Sequence, residues 1–195
     1  MTHRILIFLL LCNCAVHAQF NLDSVQARIR HTASPELRAL EYGKLAEKYA
    51  DSIGNKGIQF GKMALQEAQI SGDTSALADA CFRYGVALQG KSNFKEAIHQ
   101  YETALSHARS ISDYETSTRV LNNLGVCYKL IGDYEEARRY YRKSIRLATH
   151  HADHLGIIQA RNNMANTLVL QEKYAPALLQ YTQAIDLIQE TDTGY

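Results

Sequence analysis

A repeat with a period of 40 residues constrains the fold of this chain more than any other feature of its sequence. Small residues and aromatic residues each return at this interval, in columns that keep their spacing along the chain. The columns are Asp73, Asp113 and Asp153; Gly85, Gly125 and Ala165; Ala97, Ala137 and Ala177; Tyr101, Tyr141 and Tyr181; and Ala64, Ala104, Ser144 and Ala184. A fixed period of this length is typical of stacked units, each of which buries its apolar face against its neighbours. The 195-residue sequence therefore predicts an array of repeats.

Each repeat is predicted to contain two helices. In the third repeat, Leu121, Leu124 and Tyr128 lie at positions i, i+3 and i+7, on one face of a helix. Gly132 interrupts this pattern, and a second amphipathic helix is predicted from Tyr134. Small side chains allow two helices to approach closely, while large aromatic rings fill the adjoining gaps. The pattern predicts an all-α fold of antiparallel helical hairpins.

The residues of the third repeat resemble those of the tetratricopeptide repeat (TPR) family. The matching positions are Leu124, Gly125, Tyr128, Tyr134, Ala137, Tyr141 and Ser144. The usual TPR period is 34 residues, and the longer spacing here is similar to that of kinesin light chain. The resemblance covers roughly residues 35–190 and implies a right-handed α-α superhelix of about four hairpins. Arg161 stands where the family has Trp, and we expect it to extend its charged head into solvent.

The repeat pattern divides the chain into predicted segments. They are a signal peptide (1–18), an N-terminal capping helix (19–34), a degenerate first repeat (35–73), three further repeats (74–113, 114–153 and 154–190) and a tail (191–195). The first repeat is called degenerate because one turn residue is missing between its two helices. Ser34 and Pro35 predict a well-capped start for the first of these helices.

The N-terminal segment predicts export from the cytoplasm. It combines a charged Arg4, an apolar run at residues 5–11 and a small-residue exit that predicts cleavage between Ala18 and Gln19. The apolar run is much shorter than the roughly 20 residues of a membrane-spanning helix, so no span is predicted in the mature chain. We therefore predict a periplasmic or extracytoplasmic protein. The alternatives are a lipoprotein anchored at Cys14 and a buried N-terminal helix.

A polar stripe on the first helices of the repeats is the candidate binding site. In TPR arrays the first helices line the concave channel, so the resemblance implies that these side chains face a bound peptide. Asn and Gln each offer a donor and an acceptor to a peptide backbone, and Asn123 and Asn163 resemble the asparagine ladder of long-repeat TPR proteins. The alternative is that these residues solvate the groove or bond to neighbouring helices. The candidate groove residues are Arg83, Arg119, Asn122, Asn123, Gln159, Asn162, Asn163 and Asn166.

Other functional classes find less support in the sequence. The formal net charge is +1, which gives no electrostatic reason to expect a nucleic acid partner. The chain shows no nucleophile–base motif and no phosphate-binding loop, so we predict neither catalysis nor a cofactor. His150, His151 and His154 predict either a solvated turn or a zinc site, and an enzyme or metal protein using them is one further hypothesis.

Two further sets of residues have open interpretations. Cys81 and Cys127 are offset by about 9 Å along parallel helices, which exceeds the usual Cα separation in disulfides, so we predict two buried thiols. A basic stripe on the second helix of the third repeat is either a solvated face or a docking patch. It comprises Arg138, Arg139, Arg142, Lys143 and Arg146.

The functional prediction is a protein–protein interaction module. The resemblance extends to the extracytoplasmic TPR regions of Bacteroidetes signalling proteins, which implies a sensor or regulatory input domain that binds an extended peptide or protein partner. A free-standing periplasmic adaptor for an envelope complex is the alternative. The fourth repeat lacks the polar terminal element that solenoids carry, which predicts either a homodimer through this end or a longer parent chain.

Overall fold

A computed structural model describes residues 22–52 and 54–192, and all regular secondary structure in these ranges is α-helical. Residues 22–30 form helix α1. The later helices are α2 (Pro35–Lys48), α3 (Lys56–Ser71), α4 (Thr74–Gln89), α5 (Phe94–Ser110), α6 (Tyr114–Leu130), α7 (Tyr134–His150), α8 (His154–Leu170) and α9 (Tyr174–Asp192). No helix within these ranges is both long and apolar enough to cross a membrane. The predicted signal peptide, with Ala18 and Gln19, lies outside the described residues.

The helices pair in sequence order. Four hairpins, α2–α3, α4–α5, α6–α7 and α8–α9, make the most extensive contacts in the described part of the chain, and each hairpin packs against the next. The even-numbered helices from α2 to α8 also contact one another in succession, whereas successive odd-numbered helices of this series do not. The even helices therefore lie on the inner side of a curved array and the odd helices on its outer side. The prediction of an all-α solenoid of four hairpins is confirmed.

Small residues occur where a neighbouring ring comes closest to the helix backbone. A Cβ atom added to Gly125 would lie 2.5 Å from Cε1 of Tyr141, and one added to Gly85 would lie 2.6 Å from Cε1 of Tyr101. Both tyrosines are fully buried. Each glycine thus makes room for the aromatic ring of the second helix in its own hairpin, as the columns of the sequence predict.

The turns from α4 to α9 share one backbone conformation. A single residue in each turn has a positive φ, between 52° and 86°, and these residues are spaced 20 apart: Ser92, Ser112, Gly132, Ala152 and Glu172. The recurring aspartates Asp73, Asp113 and Asp153 each stand directly before a helix and act as its N-cap. The side chain of each aspartate accepts a hydrogen bond from the backbone N–H of the residue three positions later. The 40-residue sequence repeat thus contains two turns of the same geometry.

The first hairpin departs from the others. Ser34 caps α2 as predicted, because its hydroxyl accepts a bond from the N–H of Leu37. The expectation of a shortened turn is wrong: residues 49–55 connect α2 to α3, whereas residues 131–133 connect α6 to α7. Helix α2 ends early and helix α3 begins late. The chain folds back tightly between them, and Gly57 lies close to the carbonyl oxygen of Tyr49. In α1, Leu22 and Ile29 are buried in the core cluster of this hairpin.

Candidate peptide-binding groove

Inner helices of the array surround a cavity on the concave side. Its volume is about 220 Å³, and it receives side chains from α2, α4, α6 and α8, with one aromatic ring from α5. The lining residues are Glu47, Phe82, Val86, Gln89, Tyr101, Arg119, Asn122, Asn123 and Gln159. Four of the eight groove residues predicted from the sequence, Arg119, Asn122, Asn123 and Gln159, therefore meet at one cavity.

Arg119 is held against the aromatic floor of this cavity. Its Cζ atom lies 4.4 Å from the centroid of the Phe82 ring, within the range of a cation–π interaction. Phe82 is buried and its ring packs against that of Tyr101, with centroids 6.0 Å apart. The guanidinium group is thus fixed in position, and its N–H groups remain available as donors to a ligand in the groove.

One asparagine of the proposed ladder, Asn163, is bonded to the neighbouring inner helix. Nδ2 of Asn163 donates a hydrogen bond to Oδ1 of Asn122 at 3.0 Å. The partner of Asn163 is therefore Asn122, and Asn123 takes no part in this bond. Asn123 and Gln159 line the cavity without a hydrogen bond from their side chains to any other described residue. These two amides are the groups best placed to bind the backbone of a peptide.

The other predicted groove residues do not line the cavity. Arg83 forms ion pairs with Asp79, at 2.8 Å, and with Glu47 of α2. Asn166 accepts a hydrogen bond from the hydroxyl of Tyr181 at 2.5 Å. Asn162 is half-buried on α8. Arg83 therefore joins α4 to α2, and Asn166 joins the two helices of the last hairpin.

Five residues that line the cavity are not among the eight predicted groove residues: Glu47, Phe82, Val86, Gln89 and Tyr101. Gln89 could have been found, because it follows Phe82 by seven positions on the same face of α4. Tyr101 belongs to a core column, yet its hydroxyl donates a hydrogen bond to Oε1 of Gln89 at 2.9 Å. The ring of Tyr101 fills the core, while its polar end reaches the groove.

The family comparison agrees with this geometry. Residues 73–150 match a family model described as tetratricopeptide repeat. This part of the chain is similar to the TPR family. The matched region spans α4 to α7, the two hairpins in which the glycine and tyrosine columns are most regular. No curated protein matches the sequence.

Solved structures share the TPR solenoid fold. A kinesin light chain-like protein of nearly identical TPR-like repeats from Podospora anserina has a TM-score of 0.66 and 13% identity, over 87% of this chain and 84% of that one. A Rap protein complexed with competence and sporulation factor has a TM-score of 0.73 and 19% identity, over 89% and 52%. NprR in complex with its cognate peptide NprX has a TM-score of 0.61 and 24% identity, over 76% and 43%. The chain thus spans about half the length of the Rap protein and of NprR.

The histidine cluster of the TPR array packs on an aromatic ring. His151 stacks on Tyr114 with ring centroids 3.7 Å apart, and His150 meets His151 edge to face at 4.9 Å. Among residues 22–52 and 54–192, no group of three or more His, Cys, Asp or Glu side chains is placed to hold a metal ion.

The two cysteines of the TPR core are free and buried, as predicted. Burial raises the pKa of Cys81 to about 11 and that of Cys127 to about 12. Sγ of Cys127 also lies 3.4 Å from Oε1 of Gln89. Both thiols are therefore protonated at neutral pH, which makes them poor nucleophiles.

Proposed function

We propose that the function of this TPR protein is to bind an extended peptide, or an extended segment of a protein, in its concave groove, without catalysis. The observation that carries the proposal is the pair of side-chain amides, Asn123 and Gln159, that face one cavity from α6 and α8. Each amide offers N–H donors and an acceptor oxygen. An extended peptide has backbone N–H and C=O groups that such amides can pair with.

The similar structures support this proposal. The Rap protein was solved in complex with competence and sporulation factor, and NprR was solved in complex with its cognate peptide NprX. Their identity to this chain is below 25%, so the likeness extends to the fold, and the choice of ligand rests on the groove of this chain.

A peptide selection tests the groove. Linear heptapeptides displayed on phage would be selected against the wild-type chain, and the enriched peptides measured against the variant Asn123→Ala with Gln159→Ala. We expect the variant to lose at least about tenfold in affinity, since each lost hydrogen bond is worth about 1 kcal/mol. Its melting temperature should stay unchanged, because neither side chain bonds to another described residue.

Lys95→Ala is the matched control for this selection. Lys95 is exposed on the outer helix α5, so this variant should bind the enriched peptides as the wild type does. Equal affinity of the wild type and the Asn123→Ala with Gln159→Ala variant would contradict a binding role for the groove.

We further propose that the protein is exported and that the array is the input part of a signal-transduction protein. The proposal of export rests on residues 1–18, with their short apolar run and small-residue exit. N-terminal sequencing of the protein expressed in a Gram-negative host should give Gln19 as the first residue of the periplasmic fraction. An intact Met1 in the cytoplasmic fraction would contradict export.

A periplasmic adaptor is the alternative function, and the last helix favours an assembly of this kind. Ile185 on α9 is 52% exposed, although Leu105 at the equivalent position of α5 is 8% exposed. In the inner repeats the next hairpin covers this face. We propose that a second copy of the chain covers it on α9.

A further inference from the structure

A cleft on the outer side of the array separates α5 from α7. Because successive outer helices do not contact each other, the inner helix α6 forms the floor between them. The cleft has a volume of about 580 Å³, within the range of ligand-binding cavities. Its lining residues are Arg109, Tyr114, Ser117, Leu121, Lys143, Arg146, Leu147 and His150.

The charged groups of this cleft are all basic. Arg109 comes from the end of α5, and Lys143 and Arg146 come from α7, but no carboxylate lines the cleft. The nearest glutamates of α7 are engaged elsewhere: Glu135 pairs with Arg138, and Glu136 pairs with Arg139. A second, adjoining cleft of about 290 Å³ is lined by Arg139, Arg142, Lys143 and Arg146, so the positive surface continues along α7.

The basic groups repel one another across the cleft. Partial burial lowers the pKa of Lys143, and the positive charges of Arg139, Arg109 and Arg146 lower it further. Arg109, Lys143 and Arg146 have no ion-pair partner among the described residues. Glu136 offsets this repulsion at Lys143 only in part. Cations held this close are electrostatically unfavourable until an anion binds.

The repeats themselves show that the fold does not require these cations. The equivalent outer cleft one repeat earlier, between α3 and α5, has neutral residues in place of Arg109, Lys143, Arg146 and His150. They are Gln69, Thr103, Ser106 and Ser110. One repeat later the equivalent residues are Thr149, Gln183, Asp186 and Glu190. In all three places an inner helix packs between two outer helices that do not contact each other, so the basic set is specific to the α5–α7 cleft.

We propose that the α5–α7 cleft is a second binding site that takes an acidic segment of a partner protein. The guanidinium groups of Arg109 and Arg146 and the ammonium group of Lys143 would bind carboxylates, which Arg can contact through two parallel hydrogen bonds. Leu121, Leu147 and the ring of Tyr114 would receive an apolar side chain between those carboxylates.

The shape of the site favours a peptide over an anionic membrane surface. The apolar floor is recessed between two helices, where a flat bilayer surface cannot reach it. From Lys143 to His150 the rim extends about 10 Å at 1.5 Å per residue, which matches about three residues of extended peptide. The site lies on the outer face, opposite the concave groove, so the two proposals fail or succeed independently.

The test uses substitutions that the neighbouring repeat already contains. Lys143→Thr with Arg146→Ser places the residue types of Thr103 and Ser106 in the cleft, so the variant should fold. The control, Lys62→Thr with Lys95→Ser, also removes two positive charges, but from exposed positions on α3 and α5. A melting curve for each variant verifies that the fold is intact.

The probe is a fluorescein-labelled peptide of alternating Glu and Leu residues, with a Gln and Leu peptide as its neutral analogue. Fluorescence anisotropy should show that the wild type and the control bind the acidic peptide at least about tenfold more tightly than the cleft variant does. Binding should weaken as salt is raised from 50 to 300 mM, by at least about threefold.

Three results would overturn the proposal. One is equal affinity of the wild type and the cleft variant for the acidic peptide. Another is equal affinity of the wild type for the acidic and the neutral peptide. The third is that the wild type binds phosphatidylserine vesicles but not the acidic peptide, and that the cleft substitutions abolish the vesicle binding. This result would assign the cleft to a membrane surface.

Discussion

At the scale of single residues, close contacts between glycine and tyrosine join the two helices of each middle hairpin, α4–α5 and α6–α7. Gly125 and Gly85 lie against buried tyrosine rings with no space for a methyl group. In the last hairpin the equivalent residue is Ala165, and its partner Tyr181 is only half-buried. The contact is therefore tightest in the middle of the array, where neighbouring hairpins fix the ring on both sides.

The first prediction concerns this contact. Gly125→Ala should lower the free energy of unfolding by about 1–3 kcal/mol, because the added methyl group forces Tyr141 or the helix backbone to move. This loss should occur although Ala favours helix over Gly by about 1 kcal/mol. Urea denaturation would measure it. An unchanged or higher midpoint would show that the ring can shift without cost.

A second prediction concerns Cys81 and Cys127, whose pKa values burial raises to about 11 and 12. In the unfolded chain a thiol ionises near pH 8.5. Above this pH the unfolded state binds fewer protons than the folded state, so stability is full below about pH 8 and falls as pH rises toward 11. Each thiol contributes a slope of up to about 1.4 kcal/mol per pH unit.

Denaturation at pH 8, 9 and 10 would measure this slope. The Cys81→Ala with Cys127→Ala variant should show a shallower decline, because the contribution of the two thiols is removed. If both proteins lose stability in parallel, the thiols do not contribute to the pH dependence.

At the scale of helices and turns, the sequence predicts the helices much better than the turns. The α4–α9 helices follow from columns such as Gly125 and Tyr141, because close packing restricts those positions to few residue types. The left-handed residues Ser112, Ala152 and Glu172 could not be predicted, since residues of these types rarely adopt a positive φ. The turn length, three or four residues between two packed helices, imposes that conformation.

The candidate site was predictable to a similar degree. The concave position of Arg119, Asn123 and Gln159 follows from the helical face on which they lie. The bond between Asn163 and Asn122 could not be predicted, because it depends on how far each hairpin is rotated relative to the previous one. The position of the Arg161 side chain also differs from the prediction. Its guanidinium group donates a hydrogen bond to Oε1 of Gln180 on α9 at 2.9 Å, whereas we expected it to extend into solvent.

The third prediction tests the shared turn conformation. Ala152 has a φ of 52°, and replacing it with Gly should raise the free energy of unfolding by about 1 kcal/mol, because Gly adopts this conformation without steric cost. For a domain of this size, the melting temperature should rise by about 2–4 °C. The reverse change, Gly132→Ala, should lower it by a similar amount. A fall in melting temperature for Ala152→Gly would contradict the argument.

At the scale of the whole molecule, the two ends of the array differ. The N-terminal hairpin is covered by α1, through the buried Leu22 and Ile29. One face of α9 is apolar and uncovered: Ile185 is 52% exposed and Ile188 is 40% exposed. Ala108, at the position of α5 that is equivalent to Ile188, is fully buried. An apolar helix face of this kind is stabilised when another helix packs on it.

The fourth prediction follows from the proposed dimer. Sedimentation velocity of the wild type should show a sedimentation coefficient that rises with protein concentration, as a monomer–dimer equilibrium requires. Ile185→Lys with Ile188→Lys should leave a monomer at all concentrations, because two charges would be buried without partners. The melting temperature at low concentration should change little. A wild type that remains monomeric at 100 µM would refute dimerisation through α9.

The inner helices of the array contact one another in succession, but the outer helices do not. Bending that opens or closes the outer clefts therefore separates no pair of packed helices, so it costs less free energy than a motion that pulls hairpins apart. The radius of the superhelix can therefore change without breaking a contact between two outer helices. A molecule wedged between α5 and α7 and a peptide in the concave groove would act on that same radius from opposite sides.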